Sequence, residues 1–281
     1  MALKIRKLSP NIGAEVQDID LTQEQTPETI SRINQVWLEN IILLFRNQNL
    51  DAERQIRVTK WFGKLGELAR PKDLQPKGYE SLPDGVMLIS NIREDGEPIG
   101  ALPDGEMMFH HDMMHAEIPH KATMLNAVEI PSHGGNTLFA SGYAAYETLS
   151  NEVRAPLEGR KAFHHYNYGS AQKGDNKGVS AFAESAHPIF RTHDDTGKKA
   201  IYVNRLMTEG IIDMDQDKAD LFLSALFDHS EKSEFVYEHE WRVGDLIMWD
   251  NRCSMHARTD FPETERRLLL RTTVTGDAKP F

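Results

Sequence analysis

The sequence predicts an α+β fold with a β-sandwich or barrel core. Helical patterns cluster early, and β-patterned runs dominate the second half. The run Ile41-Ile42-Leu43-Leu44-Phe45 is apolar throughout, as in a strand buried on both faces. No internal repeat, low-complexity tract or linker divides the chain, so its 281 residues read as one domain, 1–281. Barrels of this kind hold ligands in their open mouths.

Residues 3–21 read as short strands around a turn at Ser9-Pro10-Asn11 and Gly13. Thr26-Pro27-Glu28 starts a helix: a capping hydroxyl, proline in the first turn, then an acid near the dipole. Ile30, Ile33 and Trp37 fall on one face of it, to about Asn40. The buried strand follows over 41–46. Asp51 caps a second helix that carries Ile56 and Thr59 and ends near Phe62-Gly63. Residues 66–85 read as a loop and 86–90 as a strand. The polar stretch 93–106 is either a lid or an ordinary hairpin.

Residues 121–140 suggest two strands joined by Ser132-His133-Gly134-Gly135-Asn136, and Ala144 to Ser150 a helix. Residues 161–168 look like a strand, 169–185 like a mobile loop, and 187–204 like a hairpin ending in Ile201-Tyr202-Val203. A helix over 215–229 places Ala219, Phe222 and Leu226 on one face. Phe235, Tyr237, His239 and Trp241 alternate with polar positions, as in a half-buried strand. Gly244-Asp245 turns into a strand at 246–249, and a last strand covers roughly 267–275.

The formal charge is −11, which argues against a nucleic-acid footprint. It leaves room for a small anion held by local arginines. A single cysteine, Cys253, excludes an internal disulfide and fits a reducing cytoplasm. The start has no long apolar core, so no secretory signal is expected, and no apolar run reaches a membrane span.

The chemistry gathers at Phe109-His110-His111-Asp112. In a strand, residues two apart share a face, so His110 and Asp112 could reach one metal while His111 points away. With 12 histidines a chance His-x-Asp is expected, and His193-Asp194-Asp195, running into a polar turn, reads as one. The third ligand candidate is His256, at a strand end within Trp249-Asp250-Asn251-Arg252-Cys253-Ser254-Met255-His256. Two histidines and one carboxylate form the facial triad of non-haem Fe(II) oxygenases. Arg267 and Arg271 are four apart on an otherwise apolar strand, where guanidinium groups are costly without anionic partners. Those partners are either core carboxylates or bound anions.

The order of these pieces resembles the taurine/2,4-dichlorophenoxyacetate dioxygenase family, the TauD/TfdA-like Fe(II)- and 2-oxoglutarate-dependent oxygenases, over nearly the whole chain. Ile12-Gly13-Ala14-Glu15-Val16 with Ile19-Asp20-Leu21 looks like its N-terminal strand pair. Leu44-Phe45-Arg46-Asn47-Gln48 and Phe62-Gly63-Lys64-Leu65-Gly66 look like its next markers. Phe109-His110-His111-Asp112 matches aromatic-His-x-Asp, and Gly134-Gly135-Asn136-Thr137 matches Gly-Gly-Asp-Thr with Asn for Asp. The distal-histidine segment and the paired arginines close the pattern.

The resemblance implies a double-stranded β-helix, or jelly roll, with helical insertions. It implies Fe(2+) on His110, Asp112 and His256, with 2-oxoglutarate and O2 as co-substrates. Thr137 and Arg267 would hold the distal carboxylate of 2-oxoglutarate. Arg271 would bind the anionic group of the primary substrate, with Asn91 and Met113 as further substrate contacts. The implied reaction hydroxylates a C–H of a small carboxylate, sulfonate or sulfate and releases succinate and CO2, with cleavage where the carbon bears a heteroatom. Taurine enzymes carry a sulfonate-binding histidine after Phe-Gly; here Leu68-Ala69-Arg70 stands in that region, which argues against taurine. Relatives are commonly dimers or tetramers, so a homo-oligomer is expected. Met107, Met108, Met113 and Met114 read as core packing or as an adaptable pocket wall. His111, His115, His164 and His165 read as structural or as substrate contacts. Two other readings are a hydrolytic or isomerising metal enzyme and a non-catalytic ligand-binding barrel. Arg267 with Thr137 argues against the first, since such an enzyme needs no 2-oxoglutarate.

Overall fold

The computed structural model describes residues 3–67, 82–101, 106–167 and 182–281. Its larger sheet has seven strands, in the order Lys4–Lys7, Ala14–Gln17, Ile42–Phe45, Leu246–Asp250, Ala122–Glu129, Leu268–Val274 and Met87–Ser90. Only Ala14–Gln17 and Ile42–Phe45 pair in parallel. The smaller sheet has four antiparallel strands, in the order Val236–His239, Thr137–Ser141, Ser254–Arg258 and Met107–His110.

The larger sheet is covered on both faces, which accounts for the apolar run at 41–45. Leu43, Phe45, Met124 and Met248 point to one side. There they meet Ile33, Val36 and Trp37 of the helix Pro27–Asn40 and Val58 of the helix Ala52–Thr59. Ile42, Leu44, Leu125, Ile247, Trp249 and Leu269 point to the other side and meet Phe139 of the smaller sheet. The Phe139 and Trp249 rings lie 5.3 Å apart. Alternation along each strand thus supplies two cores at once. Fully burying one such aliphatic or aromatic side chain contributes about 1.5–3 kcal/mol.

The helix starts form as their sequences dictate. The hydroxyl of Thr26 accepts from the Thr29 amide and the carboxylate of Asp51 from the Arg54 amide, each satisfying an orphan donor of a first turn. Asp215 caps the helix Gln216–Ser230 in the same way. That helix covers a third, three-stranded sheet of Phe182–Pro188, Lys161–Asn167 and Thr208–Ile211.

Several elements differ from the sequence reading. Phe182–Pro188 is a strand that takes the end of the expected loop 169–185; residues 168–181 lie outside the described residues. The expected 187–204 hairpin is Phe190–Thr192 paired with Lys199–Ile201. Within 93–106, Arg93–Glu94 and Glu97–Pro98 form a short exposed hairpin, and 102–105 lie outside the described residues. The helix expected from Ala144 starts at Gly142, where the Ser141 hydroxyl accepts from the Ala144 amide, and a second short helix follows over Asn151–Arg154.

Two crossings between the sheets build the site. Ala122–Glu129 and Thr137–Ser141 lie in different sheets, so the Gly-Gly loop between them passes across the end of the sandwich. Leu246–Asp250 and Ser254–Arg258 make the second crossing. Both deliver their next residues to the smaller sheet, where Ser254–Arg258 lies between Thr137–Ser141 and the strand that ends at His110.

Candidate active site

His110 and His256 are cross-strand partners, with ring centroids 4.1 Å apart. The strand stops at His110, so Asp112 lies in the turn that follows rather than two positions along a strand. Met113 next to it has φ of 58°, which turns the chain sharply. The turn still brings the carboxylate back. Asp112 Oδ1 lies 4.0 Å from Nε2 of His110 and 4.0 Å from Nε2 of His256. Ligand atoms from the three residues lie within 4.8 Å of one another, so one ion can touch all three.

Protonation favours ligation. Burial holds the His110 imidazole below its ordinary value despite the nearby carboxylate. Burial and the neighbouring His110 hold His256 well below its own. Burial pushes the Asp112 carboxyl up, but the Arg271 guanidinium, the two histidines and the Thr123 hydroxyl outweigh it, and the net shift is strongly downward. At neutral pH the three present two neutral imidazoles and one carboxylate, the donor set of a facial triad. The Nδ1 of His110 lies 2.9 Å from the Met108 carbonyl, which fixes Nδ1 as the protonated nitrogen and turns Nε2 inward.

The co-substrate clamp follows from register. Thr137 and Phe139 point to the same face of their strand, and so do Arg258 and His256, their partners. Thr137 is therefore about 7 Å along the sheet from the metal histidine, at two residues of strand rise. That is the span of a five-carbon diacid with one end on the metal. Arg267 reaches this corner from the larger sheet. It is 1% exposed, and its Nη2 donates to the Gly135 carbonyl at 3.3 Å. Its Nε and Nη1 are buried with no partner among the described residues. Burial, then the Arg258 guanidinium, pushes Arg267 down to about 9. Both guanidiniums pack against the Phe261 ring, at 5.7 Å and 5.9 Å. Two buried cations side by side, one with open donors, call for an anion. Thr137 accepts from the indole N–H of Trp241 at 3.0 Å, so its own hydroxyl proton is free for another acceptor.

The glycines of the motif have a steric reason. Gly134 has φ of 71°, and a Cβ there would lie 2.3 Å from the Asp260 carbonyl. Gly135 has φ of 65°, and a Cβ would press on Arg267 Nε at 3.2 Å. The loop can pass over Arg267 only without side chains.

Arg271 lies two residues past Leu269 of the inter-sheet core and four residues beyond Arg267. Its Nη2 is 2.7 Å from Asp112 Oδ1, and its Nη1 is 3.7 Å from the sulfur of Met87. It stands at the metal face with an apolar neighbour. Asn91 sits elsewhere in the network: its Nδ2 donates to the Glu265 carbonyl and its Oδ1 accepts from the Arg267 amide. It therefore holds the backbone of the arginine segment.

His111 faces away from the metal as expected, although it follows the end of the strand and strand alternation does not set its direction. Its Nδ1 lies 3.2 Å from Asn204 Nδ2, and its ring packs on Tyr202. His115 stacks on Tyr166, and His164 pairs with Thr208 and stacks on His187. Met114 is buried against Tyr202, Leu206 and Met207, and Met107 and Met108 pack on that cluster; Met113 is only half-buried. His193 is bonded to Asp250, which also takes Arg252, so the second His-x-Asp belongs to an internal ion-pair network. Leu68–Arg70 lie outside the described residues.

The comparisons with known proteins agree with this geometry. The model of the taurine catabolism dioxygenase TauD, TfdA family matches residues 4–273. The chain belongs to the TauD/TfdA family. It is 30% identical, over 99% of both chains, to the alpha-ketoglutarate-dependent 2,4-dichlorophenoxyacetate dioxygenase of Cupriavidus pinatubonensis. It is 27% identical to the (S)-phenoxypropionate/alpha-ketoglutarate-dioxygenase of Sphingobium herbicidovorans, over 98% of this chain and 96% of that one. Among solved structures, AAD-2 in complex with Mn(II) and N-oxalylglycine superposes with a TM-score of 0.81 at 27% identity, covering 100% of this chain and 99% of that one.

The protein is thus a 2-oxoglutarate-dependent dioxygenase, an oxidoreductase that uses Fe(II), 2-oxoglutarate and O2. Its residues fit both groups: the neutral-imidazole and carboxylate set suits the metal, and the open donors of Arg267 suit a carboxylate. Among the described residues no helix is long and apolar enough to cross a membrane.

Three contributors escaped the sequence reading. Thr123, whose hydroxyl donates to Asp112 Oδ2 at 2.6 Å, is one threonine in a strand. Trp241 fell into an alternating run that looked like packing. Arg258 lies two residues past His256, and that i+2 spacing on a strand was a usable signal.

Proposed function

We propose that the enzyme hydroxylates a C–H of a small, amphiphilic carboxylate, and that a C–O, C–S or C–N bond breaks where the hydroxylated carbon bears the heteroatom. A sulfonate or sulfate of similar shape is the neighbouring class. The observation that carries this is Arg271: a guanidinium at the metal face, 2.7 Å from the ligand carboxylate, with the Met87 sulfur against it. A bidentate anion on that guanidinium sets the substrate's charged end beside the metal. Met113, half-buried next to Asp112, lines the approach with flexible apolar surface. The two relatives named above act on aryloxy carboxylates, by their names.

Bound Fe(II), with 2-oxoglutarate and O2, supplies the oxidation: the co-substrate becomes succinate and CO2, and one oxygen atom enters the C–H. The chain's residues supply the placement. His110, Asp112 and His256 would hold the metal between two neutral imidazoles and one carboxylate. Arg267 and Thr137 fix the far carboxylate, so the keto acid end meets the metal in one orientation. Arg271 aims the substrate, with Met113 next to Asp112, while Asn91 holds the backbone at Arg267 in place, and the apolar walls keep water away. The two packed sheets support the double-stranded β-helix reading, and residues 1–281 form one domain in this proposal. The lone buried thiol suits the cytoplasm. A dimer or tetramer is expected, and sedimentation checks it.

The test is succinate release. Aryloxy, alkyl and aryl carboxylates are screened beside sulfonates and sulfates of matched size. Stimulation by a carboxylate supports the reading, and stimulation only by neutral compounds overturns the role of Arg271. Anaerobic addition of 2-oxoglutarate to the Fe(II)-loaded protein should give a visible metal-to-ligand charge-transfer band. Its absence would refute the clamp.

A further inference from the structure

Asp112 has two oxygens, and only one can face the ion if the metal is to keep three positions open. Oδ1 faces both histidines, and Oδ2 accepts the Thr123 hydroxyl at 2.6 Å. The bonding continues outward. Thr123 Oγ1 accepts from Asn251 Nδ2 at 2.9 Å, and Asn251 Oδ1 accepts from Trp249 Nε1 at 2.8 Å. Trp249, Asn251 and Thr123 are all buried, and Thr123 and Trp249 are cross-strand partners.

Each bond has one possible direction. An indole N–H only donates, so it decides which end of the Asn251 amide is oxygen. The amide N–H then occupies the threonine oxygen, whose one proton is left for Asp112. The carboxylate is an acceptor only. We propose that Trp249, Asn251 and Thr123 form a positioning relay that engages Asp112 Oδ2 and so holds Oδ1 toward the two histidines as the metal-binding oxygen. The relay rests on the metal assignment above. It touches neither substrate nor co-substrate, so its residues act through Asp112.

Without the hydroxyl, Oδ2 is released, and the carboxylate can rotate about the Arg271 contact that still holds Oδ1. It then offers a less oriented ligand, or both oxygens at once. Partners that orient a metal ligand in this way are worth roughly 10–100-fold in metal affinity. Asn251→Asp is the diagnostic change, because volume barely alters while direction reverses. Its carboxylate accepts from Trp249 and also from Thr123, drawing the hydroxyl away from Asp112.

The experiment titrates the full chain with Mn(II), followed by electron paramagnetic resonance, with melting temperatures as a folding control. Thr123→Val and Asn251→Asp should each weaken Mn(II) binding by roughly 10–100-fold. The double variant should lose little more than either alone, because the two act in one chain. Thr123→Ser should restore binding. Wild-type Mn(II) affinity in folded Asn251→Asp overturns the relay, as does a Thr123→Ser variant as weak as Thr123→Val. Asp112→Ala separates the layers. If it keeps Mn(II), the metal site itself fails and the relay with it; if it loses Mn(II) while Asn251→Asp does not, the relay alone fails.

Discussion

Replacing Arg267 by methionine should improve the co-substrate-free protein while ruining co-substrate binding. The residue is 1% exposed; among the described residues its guanidinium donates to the Gly135 carbonyl and leaves Nε and Nη1 without partners. Burial and Arg258 push its pKa down to about 9, so its charged form is disfavoured in the folded chain. That penalty is on the order of a few kcal/mol. Methionine keeps most of the volume and removes the charge, a kind of replacement often neutral or stabilising by about 1–4 kcal/mol. The lost bond to Gly135 costs about 1 kcal/mol. Without 2-oxoglutarate, the variant should melt at or above the wild-type temperature. With it, two charge-assisted bonds of about 1.5–3 kcal/mol each are missing. The dissociation constant should rise at least roughly 100-fold, at about 1.4 kcal/mol per factor of ten.

The assay is a melting curve with and without saturating 2-oxoglutarate and metal, beside a calorimetric titration. The pH dependence gives a second arm. The folded pKa lies below the unfolded value, so the unfolded chain binds more protons in the window above about pH 9. The destabilisation from this group is complete below about pH 9 and is relieved as pH rises through that window. Co-substrate affinity moves the opposite way, falling above about pH 9 as the charge is lost. The variant should show neither dependence. A co-substrate-free Arg267→Met several degrees less stable than wild type would refute the reasoning. It would mean that the guanidinium serves the fold rather than a ligand.

Four other outcomes are expected. Asp112→Ala should abolish metal binding and turnover, since it removes the only carboxylate of the triad; retained Fe(II) binding in a chelator-competition assay would contradict the assignment. Arg271→Met should raise KM for the primary substrate by roughly 100-fold or more while KM for 2-oxoglutarate changes little; the reverse split would mean that the two arginines have exchanged roles. Trp241→Phe should weaken 2-oxoglutarate binding by roughly 3–10-fold, the value of about 1 kcal/mol in one oriented bond, and should add nothing in a Thr137→Val background. Acid should destabilise the protein early: burial holds His164 down to about 3 and His115 to about 4, both below the unfolded value, so stability falls as pH drops below about 6.5. His164→Phe should flatten the decline of melting temperature between pH 6.5 and 4.

The metal ligands and the arginine pair 267 and 271 were legible because their chemistry restricts them. A histidine two residues from an aspartate, a distant histidine at a strand end and two arginines on an apolar strand are each costly arrangements. Costly groups are kept where something pays for them. The strand run at 41–45 was legible for a related reason: it must be apolar on both faces because a helix layer and a second sheet cover it. The strand Phe182–Pro188 was hidden because the residues it turns inward at 185 and 187 are polar rather than apolar. Ser185 and His187 are instead tied to each other and to the carbonyls of Met114 and Ala116.

Hydrogen-bond direction was the least legible property of all, yet it decides how the site is set. Two tryptophans, Trp249 and Trp241, read in the sequence as packing residues. In the fold each spends its single N–H at the head of a chain that ends on a threonine hydroxyl. One threonine then donates to the metal carboxylate, and the other is left free to donate to the co-substrate. A threonine alone can donate or accept, so it specifies neither role. A fixed donor behind it removes the choice. The indole contributes twice, filling the inter-sheet core with its ring and setting the polarity of the site with its nitrogen. Phenylalanine at either position would preserve the core and lose the polarity. Packing arguments from sequence cannot see that difference, and the paired variants above measure it.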